Sequence, residues 1–213
     1  MVVDTVVIFA GGDSLDEVAA SSLPPGEVVI AADSGLDEAF RLGFSVDLLV
    51  GDLDSVTRES ADRAARAKTR VVAHPRDKDQ TDLELAMQEG ASLRPSRLVI
   101  AGGGGGRSDH LFANLYLLAG NRFSAFEITW VTNRALLHVV RKEVEIRGAP
   151  GDVVSLLAHG GDASGVETEG LRWPLNDEVL AAGSTRGVSN RLADTTAKVR
   201  IRSGVLLVIV PQG

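Results

Sequence analysis

Residues 97–110 read Arg97-Leu98-Val99-Ile100-Ala101-Gly102-Gly103-Gly104-Gly105-Gly106-Arg107-Ser108-Asp109-His110. A short apolar run leads into five glycines, then into a segment from Asp109 to Ala119 with Leu111, Leu115 and Leu118 near helical spacing. Strand, glycine loop and helix form the βα step of a parallel sheet. Five glycines would be costly in chain entropy if nothing used them. They let backbone N–H groups approach an anion, and the helix N-terminus that follows favours negative charge. Arg107 can fork onto phosphate oxygens, and Asp109 can cap the helix or polarise a hydroxyl. A flexible loop is the plainer alternative. His110 suits an acid–base or phosphate-contact role, and equally a structural one. The stretch is neither a Walker A loop, which needs Gly-Lys-Ser/Thr, nor the dinucleotide fingerprint, which follows the first strand.

The same step recurs along the chain. Thr5 to Ala10, Glu27 to Ala32, Asp47 to Val50, Arg70 to Ala73 and Glu127 to Val131 are short apolar runs that read as fully buried strands. Carboxylate-bearing motifs follow three of them: Ala32-Asp33-Ser34-Gly35, Gly51-Asp52-Leu53-Asp54-Ser55 and Lys78-Asp79-Gln80-Thr81-Asp82. If the strands are parallel, their carboxyl ends share one sheet edge, where ligands bind in open α/β folds. The motifs then converge into an acidic, glycine-lined pocket suited to magnesium and a polyphosphate.

Each motif also has a plainer reading. Continued extended backbone would aim Asp52 and Asp54 to one face, where a hard cation relieves their repulsion. Alternatively Asp54 or Ser55 caps a helix starting near Val56. Thr81 and Glu84 have the spacing of a capping box, as do Ser14 and Glu17. Capping leaves Asp79 unexplained, while Asp82 suits either the helix dipole or the metal, with Lys78 near phosphate.

The pattern changes after about Asn133. Short runs follow (135–140, 143–147, 153–158, 197–202, 205–210), separated by Gly, Pro, Asn and Asp, and no long helical stretch is evident. Many short strands with turn signals predict a small all-β sandwich. The expected architecture is an α/β, Rossmann-like parallel-sheet nucleotide domain at 1–134 and a smaller β-sandwich domain at 135–213. Gly187-Val188-Ser189-Asn190 reads as a polar turn, and Trp173 as a core or interface residue before a stacking platform.

At 213 residues the chain can bury a core without disulfides, and it has no cysteine, which excludes thiolate metal sites and cysteine nucleophiles. A formal net charge of -7 disfavours nucleic-acid binding. No basic-then-apolar N-terminal segment and no membrane-length apolar run are evident, so a cytoplasmic protein without membrane contact is expected.

Taken in order, Ala32-Asp33-Ser34-Gly35, Gly51-Asp52-Leu53-Asp54-Ser55, Lys78-Asp79-x-Thr81-Asp82, Gly105-Gly106-Arg107-x-Asp109-His110, Thr168-Glu169-Gly170-Leu171 with Pro174-Leu175, Gly187-Val188-Ser189-Asn190 and Ser203-Gly204-Val205-Leu206-Leu207 resemble the thiamine pyrophosphokinase (thiamine diphosphokinase) family. The resemblance spans about Val6 to Ile209. It implies an enzyme that transfers pyrophosphate from ATP to the hydroxyethyl oxygen of thiamine, with AMP leaving. It also implies a homodimer with active sites at the subunit interface. By the resemblance, Asp52, Asp54 and Asp82 are magnesium ligands. Asp33, Ser34, Gly35, Lys78, Thr81, Gly105, Gly106, Arg107 and His110 contact ATP, and Ser189 and Asn190 contact the thiamine pyrimidine. Asp54, Asp82, Arg107 and Asp109 are the catalytic candidates. Some members carry an aromatic residue soon after the Ser-Asn pair; here Arg191-Leu192-Ala193 follows, and Trp173 is the substitute candidate. Competing readings are pyrophosphoryl transfer to another heterocyclic alcohol such as a pterin, a glycosyltransferase using Asp52-Leu53-Asp54, and a non-catalytic thiamine- or nucleotide-binding module.

Overall fold

The computed structural model describes residues 3–212, which divide into two compact units. The first comprises the chain up to Leu118 together with Ile128–Arg134; the second comprises Ala119–Glu127 and the chain from Ala135 onward.

The first unit holds strands β1 (Thr5–Ala10), β2 (Val28–Ala32), β3 (Leu48–Gly51), β4 (Arg70–Ala73), β5 (Arg97–Gly102) and β6 (Glu127–Val131), in the spatial order β6-β5-β1-β2-β3-β4. The pairings from β5 through β1, β2 and β3 to β4 are parallel. Central β1 is buried along its whole length, as a parallel strand covered on both faces must be. Register places Ala10 beside both Ala32 and Gly102, so these strands end at one level of the sheet edge. Helices α1 (Glu17–Ser21), α2 (Gly35–Arg41), α3 (Arg58–Ala67), α4 (Asp82–Ser92) and α5 (Ser108–Ala119) connect or follow the strands. Helix α4 buries Leu83, Ala86, Met87 and Gly90, the apolar face its spacing predicts.

Local expectations fail at three places. Strand β4 is not buried: it lies at the end of the sheet order, and Val71 is 47% exposed. Helix α1 is capped by Asp16, whose carboxylate accepts from Ala19 N–H at 2.8 Å, so the box expected at Ser14 does not form. Helix α3 is capped by Thr57, not by Asp54 or Ser55. At α4 the expected cap is present, with Thr81 Oγ1 accepting from Glu84 N–H at 3.2 Å.

The second unit is built of β7 (Ala135–Val140), β8 (Glu143–Arg147), β9 (Val153–Ala158), β10 (Ala163–Glu169), β11 (Glu178–Leu180), β12 (Asn190–Arg191), β13 (Thr196–Arg200) and β14 (Leu206–Pro211). Its strands run antiparallel in two orders, β12-β9-β14-β7 and β11-β10-β13-β8. Val140, Val154, Leu156, Leu206 and Val208 from the first set and Ile146, Val166, Leu180 and Val199 from the second share one hydrophobic cluster. Strand β13 alternates as expected, with Ala197 and Val199 inward and Lys198 exposed. No described helix is long and apolar enough to cross a membrane.

Candidate active site

A cleft of about 390 Å³ opens at the carboxyl edge of the parallel sheet. Ala10, Gly11 and Gly12 after β1 line it, with Asp33 and Ser34 after β2, Ser55 after β3, Thr81 and Asp82 at the start of α4, and Gly103 to Gly106, Arg107, His110 and Asn114 around the β5–α5 loop. Of the residues expected to contact nucleotide, Asp33, Ser34, Thr81, Gly105, Gly106, Arg107 and His110 line this cleft; Gly35 and Lys78 do not. Gly35 has a packing role instead. A Cβ there would stand 2.2 Å from the Phe9 carbonyl oxygen, so the missing side chain lets α2 start against β1.

Carboxylate oxygens of Asp33, Asp52 and Asp54 lie within 4.8 Å of one another. The structure therefore adds Asp33 to the pair expected from sequence. The route differs as well: Leu53 has φ +65°, so the backbone does not continue extended between Asp52 and Asp54. Asp54 N–H instead bonds back to Asp52 Oδ1 at 3.1 Å. Asp82, expected as a third ligand, lies outside the triad. Lys78 Nζ stands 3.1 Å from Asp82 Oδ1 and 3.6 Å from Asp52 Oδ2. Arg76 pairs with Asp54 at 3.2 Å, and the Ser55 hydroxyl donates to Asp33 Oδ2.

The electrostatics match this geometry. Burial pushes the Asp33 carboxyl above its ordinary range, opposed by the Ser55 hydrogen bond and reinforced by Asp82, Asp52 and Asp54. Asp52 is held below its range, chiefly by the Asp54 N–H and also by Lys78. For Lys78, burial lowers the ammonium pKa, but Asp82 and Asp52 outweigh it and the net direction is upward. Asp33 Oδ1 is buried and has no hydrogen-bond partner among the described residues. An orphaned oxygen beside two further carboxylates is a hard-oxygen donor set that fits a magnesium ion.

Opposite the carboxylates, the glycine loop is anchored by its carbonyls. Trp130 Nε1 donates to Gly102 O at 2.6 Å, Asn114 Nδ2 to Gly103 O at 2.9 Å, and Asp13 N–H to Gly104 O at 3.0 Å. Among the described residues, the N–H groups of Gly104, Gly105 and Gly106 donate to no protein acceptor. Arg107 donates to both Asp109 oxygens, at 3.1 and 2.5 Å. That pair, helped by the His110 N–H, lowers the Asp109 carboxyl to about 2. While Arg107 holds it, Asp109 is a poor proton acceptor. Asp109 does not line the cleft.

In the second unit, Trp173, Pro174, Leu175, Arg186, Gly187, Val188, Ser189 and Asn190 line a separate pocket. Trp173 is 53% exposed there, not in the core, with the Arg172 guanidinium 5.1 Å from its ring centre. Ser189 takes φ +61°, and its N–H donates to Ser155 Oγ at 3.0 Å. Asn190 is buried, and its carboxamide is engaged by backbone: Oδ1 accepts from Trp173 and Arg191 N–H, and Nδ2 donates to the Trp173 carbonyl.

Sequence reading missed Gly11, Gly12 and Asn114 in the cleft; Ser55 lay in a quoted motif, with helix capping as its only stated role. The glycines after β1 carried the same signal as the other strand ends and were legible. Asn114 was not, because only the fold brings it back onto the loop. His138, read as structural, is half-buried in β7, and desolvation lowers its imidazole to about 4.

Comparison with known proteins joins the two units. A family model described as thiamin pyrophosphokinase, catalytic domain, matches residues 21–130, and one described as thiamin pyrophosphokinase, vitamin B1 binding domain, matches residues 137–206. Thiamine pyrophosphokinase of Bacillus subtilis (strain 168) is 26% identical over 187 residues, covering 84% of this chain and 85% of that protein. Thiamine pyrophosphokinase 1 of Oryza sativa subsp. japonica is 25% identical over 180 residues, 79% of this chain and 67% of that one. A crystal structure of thiamine pyrophosphokinase from Bacillus subtilis superposes with TM-score 0.85 at 25% identity, covering 99% of this chain and 100% of that one. The Candida albicans thiamin pyrophosphokinase shares the fold, with TM-score 0.76 at 12% identity, covering 99% and 90%.

Proposed function

The chain belongs to the thiamin pyrophosphokinase family, and on that premise we propose that it transfers the pyrophosphoryl group of ATP to the hydroxyethyl oxygen of thiamine, giving thiamine diphosphate and AMP. One observation carries the reading: a carbonyl-anchored glycine loop and Asp33, through which the carboxylate triad reaches it, line one cleft, in a chain whose second unit matches a vitamin B1 binding model. That second match favours thiamine over a pterin, and the glycosyltransferase reading leaves the glycine loop without a task.

Residues 1–134 act as the nucleotide domain, and residues 135–213 form a sandwich that holds thiamine and pairs two copies. Asp33, Asp52 and Asp54 are the first holders of a magnesium ion, with Asp82 joining from α4. When bound, the ion supplies charge neutralisation for the phosphate oxygens. The chain's own groups do the rest. The free N–H groups of Gly104 to Gly106 receive phosphate oxygens, and Arg107 leaves Asp109 to fork onto them. The thiamine hydroxyl oxygen then forms a bond to the β-phosphorus as the bond from that phosphorus to the α–β bridging oxygen breaks. AMP leaves with that electron pair. Such chemistry is chiefly positioning and charge neutralisation. Asp109, released from Arg107, orients the hydroxyl and accepts its proton as the new bond forms. Trp173 and Ser189 bind the acceptor, and Asn190 holds the Trp173 segment in place.

The test is to incubate the protein with ATP, magnesium chloride and thiamine and to resolve the products. AMP and thiamine diphosphate in equal amounts are expected. ADP formation with thiamine unchanged would overturn the proposal.

A further inference from the structure

Lys78 sits where a mobile surface lysine would not. Its side chain is only 14% exposed, and its ammonium lies between Asp52 and Asp82, on elements separated in sequence. Both carboxylates are also within reach of the cation reading: Asp52 belongs to the Asp33–Asp52–Asp54 triad, and Asp82 lines the same cleft as Asp33. Among the described residues, Asp33, Asp52, Asp54 and Asp82 pair with two cationic side chains, Lys78 and Arg76, and Arg76 is 83% exposed. The cluster keeps an excess of negative charge even with both partners in place. Without Lys78 it would hold four carboxylates against one solvated guanidinium, and like charges so close repel strongly.

We propose that Lys78 is a resident counter-cation that competes with the divalent ion for Asp52 and Asp82. In the metal-free protein its ammonium joins the β3 loop to α4 and keeps the acidic edge folded. An arriving divalent ion displaces it from Asp52, which frees the ammonium for the phosphate oxygens that enter with nucleotide. The arrangement makes metal binding weak until nucleotide is present, because only then does the displaced lysine gain a new anionic partner. The inference rests on the reading of these carboxylates as the cation site, and goes beyond it by assigning the lysine a role before substrate arrives.

Manganese, followed by electron paramagnetic resonance without nucleotide, is the probe. Lys78→Met should bind manganese about tenfold or more tightly than the unmodified protein, the scale of a removed competitor in a half-buried ion pair. Its metal-free melting temperature should fall, and manganese should raise it by more than in the unmodified protein. Lys78→Arg, which keeps the charge and tests packing, should stay within about threefold of the unmodified affinity. Arg76→Met removes an equally near but solvated charge and should change affinity far less. Equal gains in Arg76→Met and Lys78→Met would show a general field effect and overturn the inference, as would unchanged or weaker manganese binding in Lys78→Met. Asp54→Asn separates the two claims. If it binds manganese like the unmodified protein, the cation-site reading falls and takes the inference with it; if it loses manganese while Lys78→Met is unchanged, only the inference falls.

Discussion

The side chain of Asn190 and the main chain of Trp173 bond in both directions: Asn190 Nδ2 donates to the Trp173 carbonyl at 2.7 Å, and Trp173 N–H donates to Asn190 Oδ1 at 3.2 Å. The amide thus ties β12 to the segment that displays the indole.

Asn190→Ala should lower stability by about 1–3 kcal/mol, because buried backbone groups lose their partners. Urea unfolding followed by tryptophan fluorescence measures it. Trp173→Ala should alter stability by less than about 0.5 kcal/mol, since the ring is exposed. It should nonetheless raise KM for thiamine and leave KM for ATP alone. A Trp173→Ala protein with unchanged thiamine KM would remove the indole from the acceptor site.

The Arg107–Asp109 pair gives a pH prediction with a definite sign. The Asp109 carboxyl is lowered to about 2 from an ordinary 3.8, with the Arg107 hydrogen bonds as the main cause. Its stabilising contribution is complete above the unfolded value and is lost as pH falls from there through the folded one. Carboxyl carbon NMR should show the depressed titration, and Arg107→Gln should move it back toward the ordinary value.

Asp54→Asn removes one carboxylate of the triad while keeping its shape. Far-UV circular dichroism should be unchanged, and turnover with ATP, magnesium and thiamine should fall by roughly 10²-fold, the scale of losing a main electrostatic contributor. Near-unmodified turnover would take Asp54 out of the site.

Gly35→Ala tests the contact between α2 and β1. A Cβ 2.2 Å from the Phe9 oxygen and 2.5 Å from its carbonyl carbon meets backbone, which cannot swing aside. The variant should lose about 1–3 kcal/mol, the usual cost of overpacking, as a lower thermal midpoint.

Most of the first unit was legible because continuously buried strands are continuously apolar, and each ends in a polar or glycine-rich motif. Strand β4 misled because Val71 and Val72 look like core residues, and edge position is a property of the sheet. Helix α2 was hidden because its first residue is a glycine inside a site motif. The partnership of Asp33 with Asp52 and Asp54 needs the adjacency of β2 and β3, which sets Asp33 N–H on the Val50 carbonyl at 2.9 Å. No local pattern reports that adjacency. Asn190 was expected to contact the ligand; its bonds to the Trp173 main chain need β12 beside that segment, which no local motif reports.

Three successive carbonyls of the glycine loop are held by a tryptophan, an asparagine and a backbone amide from three different segments. The first three glycines of this permissive stretch therefore lose their freedom when the protein folds, before the nucleotide binding proposed above. Capture at this loop should be governed by encounter and charge, with little entropy left to surrender on binding. Loosening one anchor, as in Trp130→Phe, would shift that ordering into the binding step.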